Sequence, residues 1–264
     1  MLVPRPSGAA KSEERPAETG TEEQTAPARE THEQRYIFIG GLDRGSLALI
    51  ERCLVDRSVV ATLRPDLPER EGQYLQDVVP NDRERGGLGR FALDARMHTP
   101  PAPPTEAERQ RRRLLECWGP SVVGEADILV EKSAANLVRI PWLRSLFPGA
   151  RFVMMTRDPR VVAVTSSKEY GASVDEMLIN WGAAYAAAWR AKQEGLDDCI
   201  FLRHEDLRDA PEEVVDRLIA ELGLPLRPDA APLSLRNEDD TAAIAEFGQR
   251  RLGQGIWETL GYQL

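Results

Sequence analysis

Three stretches of the chain carry side chains able to hold an anion, and each directly follows an apolar run. The first is Gly40-Gly-Leu-Asp-Arg-Gly-Ser46. Glycines at a helix start let backbone N–H groups converge on an anion, and the helix dipole adds positive potential there. Arg44 adds a cation, and Gly41, Asp43, Gly45 and Leu47 complete the loop. The spacing from Gly40 to Gly45 satisfies the first half of a phosphate-binding P-loop. Ser46-Leu47 then stands where the Lys and the magnesium-binding Ser/Thr belong, so the loop is not that of a nucleoside triphosphatase. A tight glycine turn with no ligand is the plainer reading of the same residues.

The second stretch is Glu131-Lys132-Ser133, where a lysine beside a helix start can neutralise a developing anion; taken alone it reads more readily as a surface lysine. The third is Arg157-Asp-Pro-Arg160, with Thr165 eight residues beyond Arg157. A guanidinium and a hydroxyl so spaced can share one phosphate, the arginine through its planar fork. The alternative is an Asp-Pro helix start with a solvated arginine.

These residues need strands to present them. Tyr36-Ile-Phe-Ile, Asp127-Ile-Leu-Val-Glu-Lys, Arg151-Phe-Val-Met-Met-Thr and Cys199-Ile-Phe-Leu-Arg are short apolar runs of the kind buried parallel strands show. Helical spacing follows each, at 47–54, from about Ala134 to Leu146 before Pro148-Gly149, from Val174 to Glu194, and from Ala210 to Leu222. Alternating strands and helices predict an α/β P-loop-type three-layer fold, with a central, mostly parallel sheet flanked by helices. Ligands of such sheets bind at the carboxyl ends of the strands. Between the first two units, residues 63–110 are irregular, with Gly86-Gly87 and Pro100-Pro-Ala-Pro-Pro. A stretch that long predicts a lid or acceptor-binding insertion.

Residues 1–34, rich in Glu, Thr, Ala and Pro, lack hydrophobic periodicity and are expected to form a disordered tail; residues 35–264 then make a single domain. The net charge of −9 argues against a nucleic-acid partner, so an anionic ligand needs a local cationic pocket. No apolar run reaches the ~18 residues of a membrane span, and no signal-like segment opens the chain, so a cytoplasmic, membrane-free protein is expected. Three scattered cysteines, Cys53, Cys117 and Cys199, suggest neither a disulfide framework nor a metal site, and Cys199 reads as a packing residue.

Taken together the three stretches resemble the 3′-phosphoadenosine-5′-phosphosulfate (PAPS)-dependent sulfotransferases, nearest to the bacterial branch related to the tyrosylprotein and carbohydrate enzymes. The resemblance spans roughly residues 35–262. It rests on Ile37-Phe-Ile-Gly-Gly-Leu-Asp-Arg44, on Leu129-Val-Glu-Lys-Ser133, on 136–153 running into Thr156-Arg-Asp-Pro-Arg160, and on Leu202-Arg-His-Glu-Asp-Leu207. It implies that Arg157 and Thr165 hold the cofactor's 3′-phosphate, that the 40–47 loop cradles the 5′-phosphosulfate, and that Lys132 sits near the bridging oxygen. Arg250 and Arg251 would close over the 3′-phosphate, and no metal would be used. Both PAPS and its desulfated product 3′-phosphoadenosine 5′-phosphate (PAP) are the expected ligands. The acceptor is expected to be a hydroxyl of a small molecule, natural product or glycan.

Transfer to a hydroxyl needs a base within hydrogen-bond reach. Glu71, in Glu71-Gly-Gln-Tyr-Leu-Gln-Asp77, resembles the relatives' glutamate base and is the first candidate; His98 is the second. His204 stands where the family has an aromatic and reads as a packed histidine. Relatives commonly carry Arg-Ser-Gly-Thr-Thr in the loop, where this chain has Arg44-Gly-Ser-Leu-Ala48. That change motivates an alternative: a catalytically impaired relative that binds an anionic ligand or a partner. The aromatics Trp181, Tyr185 and Trp189 suit an acceptor wall or core packing equally. Oligomeric state is not encoded in any pattern found.

Overall fold

The computed structural model describes residues 34–42, 46–64, 70–194, 197–233, 235, 240–249 and 253–263. All of them belong to the unit Glu33–Leu264. The expected tail and the candidates Asp43, Arg44, Gly45, Arg250 and Arg251 therefore lie outside the described residues.

The apolar runs form β1 (Arg35–Gly40), β4 (Ile128–Lys132), β5 (Arg151–Thr156) and β6 (Cys199–Arg203), as the sequence predicts. Nearly every residue of β1, β4 and β5 is buried. Successive side chains point to opposite faces, so both faces of the sheet are covered. Two short strands join them, β2 (Ala61–Leu63) and β3 (Val122–Val123). The order among the described residues is β3-β2-β4-β1-β5-β6, parallel except for β3. Periodicity missed β2 and β3 because elements of three and two residues are too short to show a period.

The helices are α1 (Leu47–Arg57), α2 (Pro104–Trp118), α3 (Ile140–Leu146), α4 (Pro159–Tyr170), α5 (Val174–Gln193), α6 (His204–Asp209), α7 (Pro211–Leu222), α8 (Thr241–Phe247) and α9 (Ile256–Thr259). The helix expected over 134–146 divides into a 3-10 stretch, Ala134–Val138, and α3. Pro141 is the reason: its ring would clash with the carbonyl four residues earlier, so it is tolerated only in a first turn. Helix α2 was missed because its apolar stripe is thin, Leu114 and Trp118 being its buried residues.

On one sheet face Tyr36, Phe38 and Phe152 meet Trp118 and Phe147, with Phe38 5.3 Å from Phe147 and 6.3 Å from Trp118 between ring centroids. This aromatic cluster anchors α2 and the end of α3 on the central strands. Burial pushes the thiol of Cys53 up to about 11 and that of Cys199 to about 12, so both act as small apolar packing groups.

Parallel order puts the carboxyl ends of β2, β4, β1, β5 and β6 on one edge. Chain leaving β1 runs through α1 to β2, while chain leaving adjacent β5 runs through α4 and α5 to β6 on the other side. Opposite departures from neighbouring strands open a crevice at their carboxyl ends. The described ends of the three candidate stretches, at Gly40, at Lys132-Ser133 and at Arg157, flank that crevice.

Candidate active site

The loop after β1 is held down from three directions. A Cβ on Gly40 would lie 2.7 Å from the Met154 sulfur and 3.2 Å from the Leu137 nitrogen; one on Gly41 would lie 3.0 Å from the Met155 carbonyl oxygen. These glycines thus serve close approach of the loop to β5 and to the 134–138 turn. Tyr185 of α5 accepts a hydrogen bond from Leu42 N at 3.3 Å and donates one to Met155 O at 2.6 Å. Its ring is fully buried against Trp181, whose indole N–H donates to Arg157 O. So Trp181 and Tyr185, ambiguous in the sequence, are core residues that fix the chain leaving β1 to the chain leaving β5. A Tyr185→Phe variant leaves both backbone groups unsatisfied and is expected to cost about 1–3 kcal/mol of stability, read by denaturant unfolding.

Ser46 takes the left-handed conformation, φ 76°, at the amino end of α1. That is strained for a residue with a Cβ. Its hydroxyl makes no capping bond and instead meets His204 Nδ1 at 2.5 Å, so Ser46 leaves the leading amides of α1 without a cap from its own side chain. No acidic residue occupies the first turn of α1. The arrangement leaves a helix amino terminus suited to an anion. His204 is buried at the start of α6, which agrees with a packed histidine and adds the task of holding Ser46.

At the next strand end, Lys132 is buried, and so is Glu71 from the 63–110 segment. The backbone of residues 71–73 is docked on the tip of β4. Gly72 N donates to Glu131 Oε1 at 3.1 Å, Gln73 N to Ser133 Oγ at 2.9 Å, and Ala134 N to Glu71 Oε2 at 3.0 Å. Asn136 ties Glu131 to Ile39 O, joining the same cluster to β1. Gly72 is required there, because a Cβ would come within 2.5 Å of Glu131 Oε1.

Burial pushes the Glu71 carboxyl up to about 7, with the nearby Asp82 charge adding to the rise; the Ala134 N–H, Gln73 and the Lys132 charge work the other way. Glu131 and Asp82 are also raised by burial. Glu71 Oε2 carries the bonds from Ala134 and Gln73, and no hydrogen bond to Oε1 is made by a described residue. The sequence suggested Glu71 and Lys132 separately; the fold brings them into one electrostatic cluster.

His98, the second candidate base, has its Nε2 2.7 Å from Ala92 O, closing a turn within the 63–110 segment. That insertion comprises 3-10 turns at 72–74, 82–85, 91–93 and 95–97 and then enters α2. Asn180 of α5 clamps it, accepting from Ala92 N at 2.9 Å and donating to Leu88 O at 3.0 Å.

The third strand end presents Arg157, nearly buried, whose Nη2 pairs with Asp240 Oδ1 at 2.5 Å. Thr165 stands on α4, its hydroxyl donating to Val161 O at 2.7 Å. Asp158 caps α4 through Arg160 N and pairs with the Arg160 side chain. Asp240 was not anticipated; its sequence context, Asn237-Glu-Asp-Asp240, reads as a solvated acidic loop.

A cavity of about 450 Å³ is lined by Arg52, Val55, Asp56, Arg227, Leu233 and Leu235, among others. It borders the carboxyl half of α1, whereas the crevice at the strand tips borders its amino end. The candidate residues Lys132 and Arg157 lie at the strand tips. Among the described residues no group of three or more His, Cys, Asp or Glu is arranged to hold a metal ion. No helix among them is long and apolar enough to cross a membrane.

A mostly parallel sheet with an uncapped helix start, a buried lysine and a buried arginine at its carboxyl edge defines an α/β transferase of the P-loop-like, anion-binding class. The sequence profile of the sulfotransferase family matches residues 37–228, and the chain belongs to the PAPS-dependent sulfotransferase family. Similar solved structures include sulfotransferase STF9 from Mycobacterium avium, at 14% identity over 81% of this chain and 68% of that one, with a TM-score of 0.53. A sulfotransferase domain from the curacin biosynthetic pathway is 15% identical over 86% of this chain and 98% of that one, with a TM-score of 0.50. At such identities the likeness speaks to the fold. No curated protein matches the chain.

Proposed function

We propose that the chain transfers a sulfuryl group from PAPS to a hydroxyl of a small molecule, natural product or sugar. The observation that carries this reading is Glu71 docked beside Lys132 at the tip of β4, one strand away from the loop that leads into α1. The residues fit the cofactor in charge and kind. The uncapped amino end of α1 suits the 5′-phosphosulfate, and Arg157 with Thr165 suits the 3′-phosphate. Arg250 and Arg251 are proposed to cover the latter.

Bound PAPS supplies the sulfuryl group. Glu71 takes the proton of the acceptor hydroxyl at Oε1, while Ala134 N and Gln73 hold Oε2 in place. A carboxyl that titrates near 7 is well matched to a base working near neutrality. Lys132 brings positive charge to the position where anionic charge develops in an in-line displacement. The insertion over 63–110 is proposed to form the acceptor wall, since Glu71 belongs to it and Asn180 clamps it to α5. His98 is then a residue of that wall.

Titration with PAP tests the reading. At 100 times its dissociation constant PAP is expected to add about 2.7 kcal/mol of stability, a rise of roughly 5–10 °C in melting temperature for a chain of this size. No shift at millimolar PAP rejects the cofactor. A second reading, binding without turnover, is favoured by Leu47 and Ala48 at the helix start, where relatives carry hydroxyls. It predicts the PAP shift but no sulfated product across a panel of hydroxyl acceptors.

A further inference from the structure

The residue nominated for the 3′-phosphate already has an anion on it. Arg157 Nη2 and Asp240 Oδ1 are 2.5 Å apart, with side chains 8% and 10% exposed. The acid comes from 83 residues further along the chain. Asp240 directly precedes α8, which packs on α4 through buried Phe247, Ala163 and Val164 and through the Lys168–Glu246 ion pair. Thr165, the other group nominated for that phosphate, lies on the same α4 and also spends its hydroxyl within the protein.

A second guanidinium stands on the far side of the acid. Arg208 Nη1, on α6, is 3.7 Å from Asp240 Oδ2. A carboxylate buried between two arginines has two ways to be paired. Stripping a buried charge of all partners is strongly destabilising; handing it from one arginine to another is far cheaper. A phosphate carries more charge than a carboxylate and matches the planar guanidinium fork.

We infer that Asp240 is an internal occupant of the 3′-phosphate subsite: it holds Arg157 in the ligand-free chain and moves to Arg208 when the cofactor's 3′-phosphate takes its place. Asp240 is thus an affinity-setting residue of the cofactor site. The inference rests on the cofactor reading above. An internal competitor that is seated nine-tenths of the time raises the apparent dissociation constant about tenfold. It acts only on ligands that engage Arg157.

The test is calorimetric binding of two probes, PAP and adenosine 5′-phosphate, to wild type and to Asp240→Asn. Adenosine 5′-phosphate lacks the 3′-phosphate and serves as the internal control. Asp240→Asn is expected to tighten PAP about tenfold and to leave adenosine 5′-phosphate unchanged. Weaker PAP binding in that variant overturns the inference, because Asp240 would then be orienting Arg157 for the ligand. Equal changes for both probes, or none, overturn it as well. Wild type that does not bind PAP rejects the cofactor reading itself. Should Asp240→Asn fail to fold, Arg208→Gln gives the complementary result. Deprived of its second partner, Asp240 stays on Arg157, and PAP binding is expected to fall several-fold with adenosine 5′-phosphate unaffected; unchanged PAP affinity there is the overturning result.

Discussion

An Arg157→Ala variant is expected to bind PAP at least about 100-fold more weakly than wild type, a loss of ~3 kcal/mol. Arg157 is almost sealed from solvent, so a phosphate bound there exchanges little of its lost pairing for water. Truncation also removes one of Asp240's two guanidinium partners and leaves it Arg208, 3.7 Å away. Part of any stability loss in Arg157→Ala therefore belongs to the acid and not to the cofactor site. The double variant Arg157→Ala/Asp240→Asn separates the two effects. It removes the carboxylate that has lost its nearer partner and is expected to recover part of the melting temperature, while PAP binding stays weak. Arg157→Lys keeps the charge but loses the fork, and its affinity is expected to lie between wild type and Arg157→Ala. PAP affinity within threefold of wild type in Arg157→Ala would place the phosphate elsewhere.

The Glu71→Gln variant is expected to lower kcat by about 10²–10⁴-fold and to leave PAP affinity unchanged, because Glu71 belongs to the acceptor side. Glu71 works as a base only when ionised, and burial pushes its carboxyl up to about 7. Wild-type kcat/KM is therefore expected to rise with pH and level off above about 7; Glu71→Gln loses that limb along with the rate. A variant that keeps both rate and limb would remove Glu71 from the reaction.

Stability responds to the same group in the opposite sense. In the unfolded chain Glu71 releases its proton near 4.5, while the native protein holds it until about 7. Its contribution is complete below 4.5 and is lost as pH rises through 7, an effect on the order of 3 kcal/mol. Glu71→Gln cannot ionise, so its stability is expected to fall less than wild type's between pH 5 and 8 in urea unfolding. The rate loss and the altered pH–stability slope are independent consequences of one buried carboxyl, and both can be read from the same preparation.

Much of this architecture is legible from local patterns. Four apolar runs, at 36–39, 127–132, 151–156 and 199–203, are strands because residues covered on both faces of a sheet must be almost continuously apolar. The residues that end them, Gly40-Gly41, Lys132-Ser133 and Arg157-Asp-Pro, mark the candidate site, since a parallel sheet gathers its carboxyl ends on one edge. The long helix, expected over Val174–Glu194, is Val174–Gln193, and the structure shows it opened by a Ser173 capping box.

Pairings between distant residues obey no such local period. Glu71 reaches Ala134 N across 63 residues, Tyr185 reaches Leu42 N across 143, Ser46 meets His204 across 158, and Asp240 meets Arg157 across 83. None of these contacts leaves a spacing signature, because each depends on which strand lies beside which and how the crossovers pack. By itself the sequence determined which strand tips bear charge and which family the chain resembles. Only the tertiary structure decided that Glu71 and Lys132 share one cluster, that Trp181 and Tyr185 serve the loops, and that Arg157 is held by an acid. The physical reason is that apolar burial is written along the chain residue by residue, whereas the pairing of buried polar groups is settled across it, once packing has removed the water they would otherwise bind.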